Sequence, residues 1–545
     1  MPHREKKCQA VIGIDFGTAG ARAGLFDVNS GELISEISGD YENGIITQPN
    51  NSEFKRHNPH DYLNFLKKAI PKLLKKQKIS AKGGSASGGK VIGVGIDCTD
   101  CTLIAVDKKG EPLFFQKKYS HNPRSLIKLY ADHTAIKQTE KINKVLAGEK
   151  ILIRCGGQTS SEWWLAKVLN DFEEDKQFFT SVDKYIHIVD WLGWVLSGHF
   201  KPNTCSAGYK AHQHDDGVGI NKRILKKLSD DLDVLKVVDK LNTNFYLPGS
   251  LVGSLKKEWL KHWGLDGQVK IAVGMIDAHA QAIGAAIKEE AMVAIVGTTT
   301  CEMYCHKNGV YFPGINVVRG GILPGLYGYE AGQAGTGVMY QHFAQLFKGE
   351  PIEKIQKKLI EELALSKRHT PIIVIPWWRG SRTPVADSNF TGIILGLTGQ
   401  TKPIDIYQGM LEATAFATQE VIEMLAEKKM KVKKLILAGG IPLKNQAQVQ
   451  AYTYTFGQEV SVTKNHGCLG PAILAAVASG YYPDIGTAQD ALTNFYQPII
   501  CQPTDKKLKN IYRKKFLVYQ KLSRLLATQG AATLKFLKEI QLNNY

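Results

Sequence analysis

Apolar positions alternate with turn residues from Gln9 to about Lys118. The runs QAVIGIDFG, RAGLFDV and GELISEI read as strands, the stretch from Pro59 to Ile79 carries apolar residues at helical spacing, and KVIGVGID and CTLIAVD return to strand. Strands flanking a helix predict a mixed α/β layer architecture. SAKGGSASGGK, between the helix and the next strand, reads as a surface insertion because the strand pattern resumes directly after it.

From Ser125 to Gly217 the period changes. SLIKLYADHTAIKQTEKINKVL, SSEWWLAKVLNDF and YIHIVDWLGWVLSG all have helical spacing, the last with a glycine stop. Strand character returns in VKIAVGMIDAHAQAIGAA and AMVAIVGTTTCEMYC. The second of these repeats the plan of VIGIDFGTAGARAGLF: an apolar strand, a Gly-Thr tip, a small residue, and a returning segment. The tips, Gly17-Thr18 and Gly297-Thr298, lie half a chain apart. An internal repeat at that spacing predicts two related domains facing one another.

Glycine lets a backbone approach a ligand closely, and free N–H groups beside a Thr hydroxyl form an anion nest. Two such nests would hold one polyphosphate between them. Each hairpin alone reads as an ordinary glycine turn; the pairing, with Asp15 beside one tip, favours the phosphate reading. A third element, KKLILAGGIPLKNQAQVQAYTYTFG, runs from strand through Gly439-Gly440 to a helix beginning near Asn445, a place where a flat adenine ring can lie against backbone and amides.

A chain of 545 residues exceeds one core and predicts roughly two to four domains. The formal charge of +18 raises the question of nucleic acid. Its lysines, however, concentrate in LKKAIPKLLKKQK and KKLKNIYRKKF, where they alternate with apolar residues as the solvated faces of amphipathic helices. No nucleic-acid partner is expected. The nine cysteines have no framework spacing, which fits a reducing compartment. Cys98/Cys101 and Cys301/Cys305 read as small-residue packing rather than metal or redox sites. With no signal-peptide core and no apolar run of about eighteen residues, a cytoplasmic protein without a membrane partner is expected.

Several residues have chemical potential. Asp277, in GMIDAHAQAIG, stands where a strand gives way to a helix; it reads as an N-cap or as a general base for a hydroxyl attacking a terminal phosphoryl group. Asp15 suits a Mg²⁺ held through water. Lys210 in SAGYKA and Glu330 in GLYGYEAGQ, set among Gly and Tyr, suit a polyhydroxylated ligand or, equally, a surface lysine and a turn glutamate. AHQHDD reads as an exposed loop.

SSEWWLAKVL, DWLGWVLSG, SAGYKA, GLYGYEAGQ and RTPVADSNFTGIILGLT give the chain a resemblance to the FGGY family of carbohydrate kinases from about Val11 to about Ala491, most of all to its L-ribulokinase branch. The resemblance implies an α/β fold of two actin-like (ribonuclease H-like) ATPase domains, residues 1–285 and 286–545, with a cleft between them. It implies ATP as co-substrate with Mg²⁺ near Asp15. Gly17, Thr18, Gly297, Thr298 and Thr299 would form the phosphate hairpins with Arg22 adding a contact, and Gly439, Gly440 and Asn445 the adenosine segment. Asp277 matches the family's base, and Lys210 and Glu330 match positions that bind a ketopentose. Thr99 and Asp100 would lie beside the sugar. Where L-ribulokinases usually read Phe-Thr-Ala-Cys, this chain has Cys98-Thr99-Asp100-Cys101, which puts the choice of sugar in question.

The expected activity is ATP-dependent phosphorylation of L-ribulose at its 5-hydroxyl, as in L-arabinose catabolism, with a homodimer as the expected assembly. D-ribulose, D-xylulose or a polyol is the alternative acceptor. An actin- or chaperone-type ATPase and a non-catalytic sugar sensor are the rivals from other classes. The basic segment after Ala491 is expected to form a C-terminal helix packed on the second domain.

Overall fold

Every residue from Ala10 to Phe16 in the strand Gln9–Phe16 is buried, as befits a central strand covered on both faces. The computed structural model describes residues 9–75, 90–214, 216–241, 244–346, 351–365 and 369–543. Gln9–Phe16 lies within a seven-stranded sheet ordered Leu251–Ser254, Lys270–Ala272, Lys90–Cys98, Gln9–Phe16, Gly20–Asp27, Leu33–Asp40, with Met275–Ile276 also paired to Lys90–Cys98. The last three of the series form an antiparallel meander, Lys90–Cys98 and Lys270–Ala272 follow in parallel, and Leu251–Ser254 closes the edge antiparallel.

The second half of the chain repeats this plan. Tyr327–Gln333, Thr300–His306 and Ala291–Val296 form the meander, Lys434–Ala438 and Val460–Val462 run parallel to the last of them, and Ile499–Cys501 is the antiparallel edge. Asn316–Arg319 is added at the other edge. The repeat read from the two Gly-Thr tips is therefore a repeat of whole sheets.

The halves are locked by a helix that leaves its own sheet. Leu469–Ala478, although late in the chain, lies on the first sheet, so close that a Cβ on Gly95 would stand 1.9 Å from Pro471 O. The helix Asp277–Gly284 packs against it in turn, and a Cβ on Gly470 would stand 2.0 Å from Ala280 O. Ile276, Ala280, Val293, Met303, Leu469 and Ile473 consequently share one apolar core.

The middle of the chain departs from the helical expectation. Only Ile136–Val145 of SLIKLYADHTAIKQTEKINKVL is helical; Ile127–Lys128 is instead a strand in a five-stranded sheet, paired with Asn51–His57 and Leu103–Val106. Buried Asp132 explains the irregular stretch between, since it accepts from Arg56 Nε at 2.6 Å and from the Lys55 amide at 3.1 Å. YIHIVDWLGWVLSG divides into the strand Lys184–His187 and the helix Ile188–Ser197, stopped by Gly198 at φ 78°.

Other expectations meet their outcome directly. Pro59–Lys75 buries Tyr62, Phe65, Leu66, Ile70 and Leu73 and exposes Lys67, Lys68 and Lys72. Lys506–Thr528 buries Leu508, Tyr512, Phe516 and Tyr519 in the core of the second sheet. The described cysteines are all free. Residues 80–89 of the SAKGGSASGGK insertion lie outside the described residues. Among the described residues no helix is long and apolar enough to cross a membrane.

Candidate active site

Parallel pairing sets Asp15 opposite Asp97 and Asp97 opposite Met275, so Asp277 follows two residues further on. Three Ile-Asp dipeptides thus end three neighbouring strands, at the carboxyl edge where open α/β sheets present ligand sites. Asp15 accepts from Arg22 Nε at 2.7 Å. Asp97 is fully buried, and neither of its oxygens has a hydrogen-bond partner among the described residues. Burial, and then the charges of Asp15 and Asp277, push its carboxyl well above the usual range.

Asp277 is the first residue of its helix, with Ile276 in the capping position, and its Oδ1 accepts from the Ala278 amide at 2.7 Å. A plain N-cap is therefore not its place. Burial, and then the nearby charge of Asp15, raise it to about 8, a proton affinity matched to a base working near neutral pH. His279 is buried against Tyr209, ring centroids 4.4 Å apart, and burial lowers it to about 4, so it is a neutral packing group.

Lys210 reaches the cleft on the helix Thr204–Ala211. Asn203 caps that helix by accepting from the Ser206 amide at 2.6 Å, and buried Asp190 holds the Asn203 side-chain amide at 2.8 Å. Lys210 Nζ lies 2.8 Å from Asp100 Oδ2 and 2.8 and 2.9 Å from the two Glu330 oxygens. Burial alone would lower this ammonium, but Asp100 and Glu330 raise it well above its ordinary range. Glu330, which burial alone would raise, is held down to about 2, chiefly by Lys210. A lysine that reads as a surface residue is thus clamped between carboxylates from both halves of the chain. Thr99 is buried, and its hydroxyl meets that of Thr102 at 2.8 Å, so it holds the turn on which Asp100 sits.

The two Gly-Thr tips differ from free-amide nests in one respect. Gly17 donates its amide to Gly20 O and Gly297 its amide to Thr299 O, each at 2.9 Å, because a tight turn uses the first N–H to close itself. Thr18, Ala19, Thr298 and Thr299 are left with amides that have no backbone acceptor among the described residues. The Thr18 hydroxyl lies 3.2 Å from that of Tyr130. Gly337 donates to both Gly297 O and Thr298 O at 3.0 Å, which ties the second tip to the start of the helix Thr336–Gln345. Half-exposed Arg22 lies against Gly467, where a Cβ would stand 2.8 Å from its Cζ.

Gly439 has φ +94°, and a Cβ there would stand 2.5 Å from Val296 O, so only glycine brings this segment beside the second tip. Gly440 next to it is exposed. Asn445 follows at the start of the next helix. It is buried, its Oδ1 caps the helix Gln446–Phe456 by accepting from the Gln448 amide at 3.2 Å, and its Nδ2 faces Tyr407 at 3.5 Å. Gln448 continues the chain of contacts, accepting from the Tyr340 hydroxyl at 2.5 Å and donating to Thr414 at 2.7 Å.

Asp97 belongs to the row of strand-end carboxylates although it was not singled out in the sequence. Asp97 had a signal, because GID occurs in both VIGIDFG and VGIDCTD. Arg382 opens the quoted stretch RTPVADSNFTGIILGLT, but only the folded chain sets it against Gly332.

The N-terminal domain model of the FGGY family of carbohydrate kinases matches residues 10–284, and its C-terminal domain model matches residues 292–479. The ribulokinase of Shouchella clausii is 35% identical over 494 residues, covering 86% of each chain. Ribulokinase 2 of Staphylococcus saprophyticus is 30% identical over 546 residues, covering 96% of this chain and 98% of its own. Among solved structures, the ligand-bound xylulose kinase of Lactobacillus acidophilus superposes with a TM-score of 0.76 at 20% identity, over 95% of this chain and 99% of that one. Plasmodium falciparum glycerol kinase with ADP gives 0.77 at 16%, again over 95% and 99%. At those identities the structures share the two-domain, actin-like fold. The chain belongs to the FGGY family of carbohydrate kinases, phosphotransferases that act on a sugar hydroxyl.

Proposed function

We propose that this kinase transfers the terminal phosphoryl group of ATP to the 5-hydroxyl of a ketopentose, L-ribulose. The observation that carries the reading is the Lys210 cluster: a buried lysine bonded to Glu330 of the second sheet and to Asp100, which follows the strand Lys90–Cys98 that pairs with Met275–Ile276 just before Asp277. Such a cluster offers fixed donors and acceptors to several hydroxyls at once. The ribulokinase names of the relatives quoted above favour L-ribulose among neutral ketopentoses.

In this reading Asp277 accepts the proton of the attacking hydroxyl while the new O–P bond forms and the bond to the β,γ-bridging oxygen of ATP breaks, leaving ADP and a sugar phosphate. Lys210, Asp100 and Glu330 orient the sugar. The amides at Thr18, Ala19, Thr298 and Thr299, with Arg22, face the phosphates, and the backbone at Gly439 and Gly440 borders the adenosine. Among the described residues no three acidic, His or Cys side chains converge closely enough to chelate a bare ion. Asp15 and the two unpartnered oxygens of Asp97 suit a hydrated Mg²⁺ instead, as a hard cation that keeps its waters would be held. When bound, Mg²⁺ would offset phosphate charge. We place the boundary between the halves at residues 285 and 286, where Ala286 adopts φ 59°.

Initial rates of ADP release with L-ribulose, D-ribulose, D-xylulose and glycerol test the proposal. L-ribulose is expected to give the highest kcat/KM. Preference for another acceptor by more than about tenfold, or roughly 1.4 kcal/mol of transition-state binding, would overturn the choice of sugar. ATP turnover indifferent to every acceptor would favour the actin-type ATPase.

A further inference from the structure

We propose that Arg382 is a further substrate-binding residue, its guanidinium donating hydrogen bonds to oxygens of the sugar on the side opposite Lys210. The inference rests on reading the Lys210 cleft as the sugar site. It starts from the alternation of the strand Tyr327–Gln333. Tyr329 and Ala331 point into the core of the second sheet, and Gln333 bonds to Glu302 and Thr418. Gly328, Glu330 and Gly332 therefore face the cleft. Gly328 lies against Tyr209, Glu330 holds Lys210, and Gly332 lies under Arg382: a Cβ on Gly332 would stand 3.6 Å from Arg382 Cδ and 3.8 Å from its Nη1.

The absent side chain at Gly332 is thus the slot along which the arginine lies. Its backbone is anchored to the same strand, because the Thr383 hydroxyl donates to Gly314 O at 2.6 Å and accepts from the Gly332 amide at 3.4 Å. Two residues of strand, about 7 Å, separate this slot from Glu330. On the neighbouring strand Gly332 faces Cys301, just past the second Gly-Thr tip. Arg382 accordingly stands between the tip and the Lys210–Glu330 pair.

The guanidinium is available to a ligand. Its side chain is exposed, and no carboxylate lies within ion-pair distance among the described residues. Protein atoms crowded around the guanidinium oppose its charge even though the side chain keeps contact with solvent, and Glu162, Glu330 and Asp100 strengthen its hold on the proton. Asp100 and Glu330 hold Lys210 on what we read as the sugar side, whereas Asp15 and Asp97 lie side by side at the first tip. A planar fork of donors suits two neighbouring sugar oxygens, or the carbonyl oxygen of an open-chain ketose. Asp100 and Glu330 match Lys210 and Arg382 in charge, which leaves no uncompensated cation for a sugar acid and suits a neutral polyhydroxylated ligand.

Arg382→Gln and Arg382→Lys test the proposal in the full-length enzyme, with the sugar that the wild-type protein phosphorylates fastest in the panel above. Sugar Kd by calorimetry without nucleotide, and KM for sugar and for ATP, are the readouts. Arg382→Gln is expected to weaken sugar binding by about tenfold or more, as for loss of one charge-assisted hydrogen bond, with KM for ATP and Tm little changed. Arg382→Lys should recover part of the loss. A sugar Kd within about twofold of wild type, or an effect confined to kcat or to KM for ATP, would overturn it and move the guanidinium to the phosphoryl group. A wild-type preference for another ketose would refute L-ribulose and leave this test standing; absence of any sugar-dependent turnover would refute both.

Discussion

Gly208 and Val318 meet where the two halves of the chain touch, so closely that a Cβ on Gly208 would stand 2.3 Å from Val318 Cγ1. The helix Thr204–Ala211 can bring Lys210 onto Glu330 only because residue 208 has no side chain. Gly208→Ala should therefore displace the helix or strain the contact, at about 1–3 kcal/mol, and lower kcat/KM for the sugar by about tenfold or more. Adding Val318→Ala makes room, so the double variant should be more active and melt higher than Gly208→Ala alone. Kinetics and thermal melts of the full double-mutant cycle check this; strictly additive losses would show that the two residues are not coupled.

Asp277→Asn removes the proposed base while preserving size, and kcat should fall by about 10²–10⁴-fold with KM for the sugar nearly unchanged. The pH profile follows from the environment of the same carboxyl. Burial and Asp15 raise it to about 8, so the ionised, active form is scarce below that pH, and log(kcat/KM) should rise by about one per pH unit up to there and then level off. Asp100 also raises it. Asp100→Asn removes one repelling charge and should move the break toward acid. A break that does not move, or one that moves to higher pH, would exclude Asp277 as the titrating group.

The fold was largely legible because its strands alternate with clear turn residues, and the two halves advertise themselves by the tips at Gly17-Thr18 and Gly297-Thr298. The segment 125–135 was not, because Leu126, Ile127 and Tyr130 have helical spacing while the decisive partners, Arg56 and the strands Asn51–His57 and Leu103–Val106, lie far away in sequence. In the site, Lys210 and Glu330, singled out for their Gly- and Tyr-rich settings, meet each other, and Asp100, which only the family resemblance pointed to, joins them. Thr99 and Asn445 have polar atoms engaged by Thr102 and by Gln448 and Tyr407, contacts that nothing in their sequence settings marks. Spacing along a chain shows which residues can share an element; it does not show which polar atoms remain free once tertiary contacts form.

Asp97 separates stability from function. Its buried carboxyl lies beside Asp15 with no hydrogen-bond partner among the described residues, an arrangement that costs the free protein about 1–3 kcal/mol. Asp97→Asn should raise the Tm of the protein without nucleotide. Addition of Mg·ATP should raise the Tm of the wild type by more than that of the variant, because the variant has lost one of the carboxylates assigned to the hydrated cation. Equal shifts in the two proteins would remove Asp97 from that role.

Glu302 sets a pH dependence of folding under the second tip. Its Oε1 accepts from Gln333 Nε2 at 2.7 Å and Thr418 Oγ1 at 2.8 Å, while Oε2 has no partner among the described residues. Burial raises the carboxyl to about 7 in the folded chain, against about 4.3 for an exposed glutamate. The folded state thus binds the proton more tightly than the unfolded state, so this contribution is complete below about pH 4 and is lost as pH rises through about 7. Glu302→Gln keeps the Oε1 acceptor and abolishes the titration. Relative to wild type, the variant should gain up to about 3 kcal/mol between pH 4 and pH 8, read from denaturant unfolding at each pH. Parallel curves for the two proteins would mean that Glu302 is ionised, and paired, throughout that range.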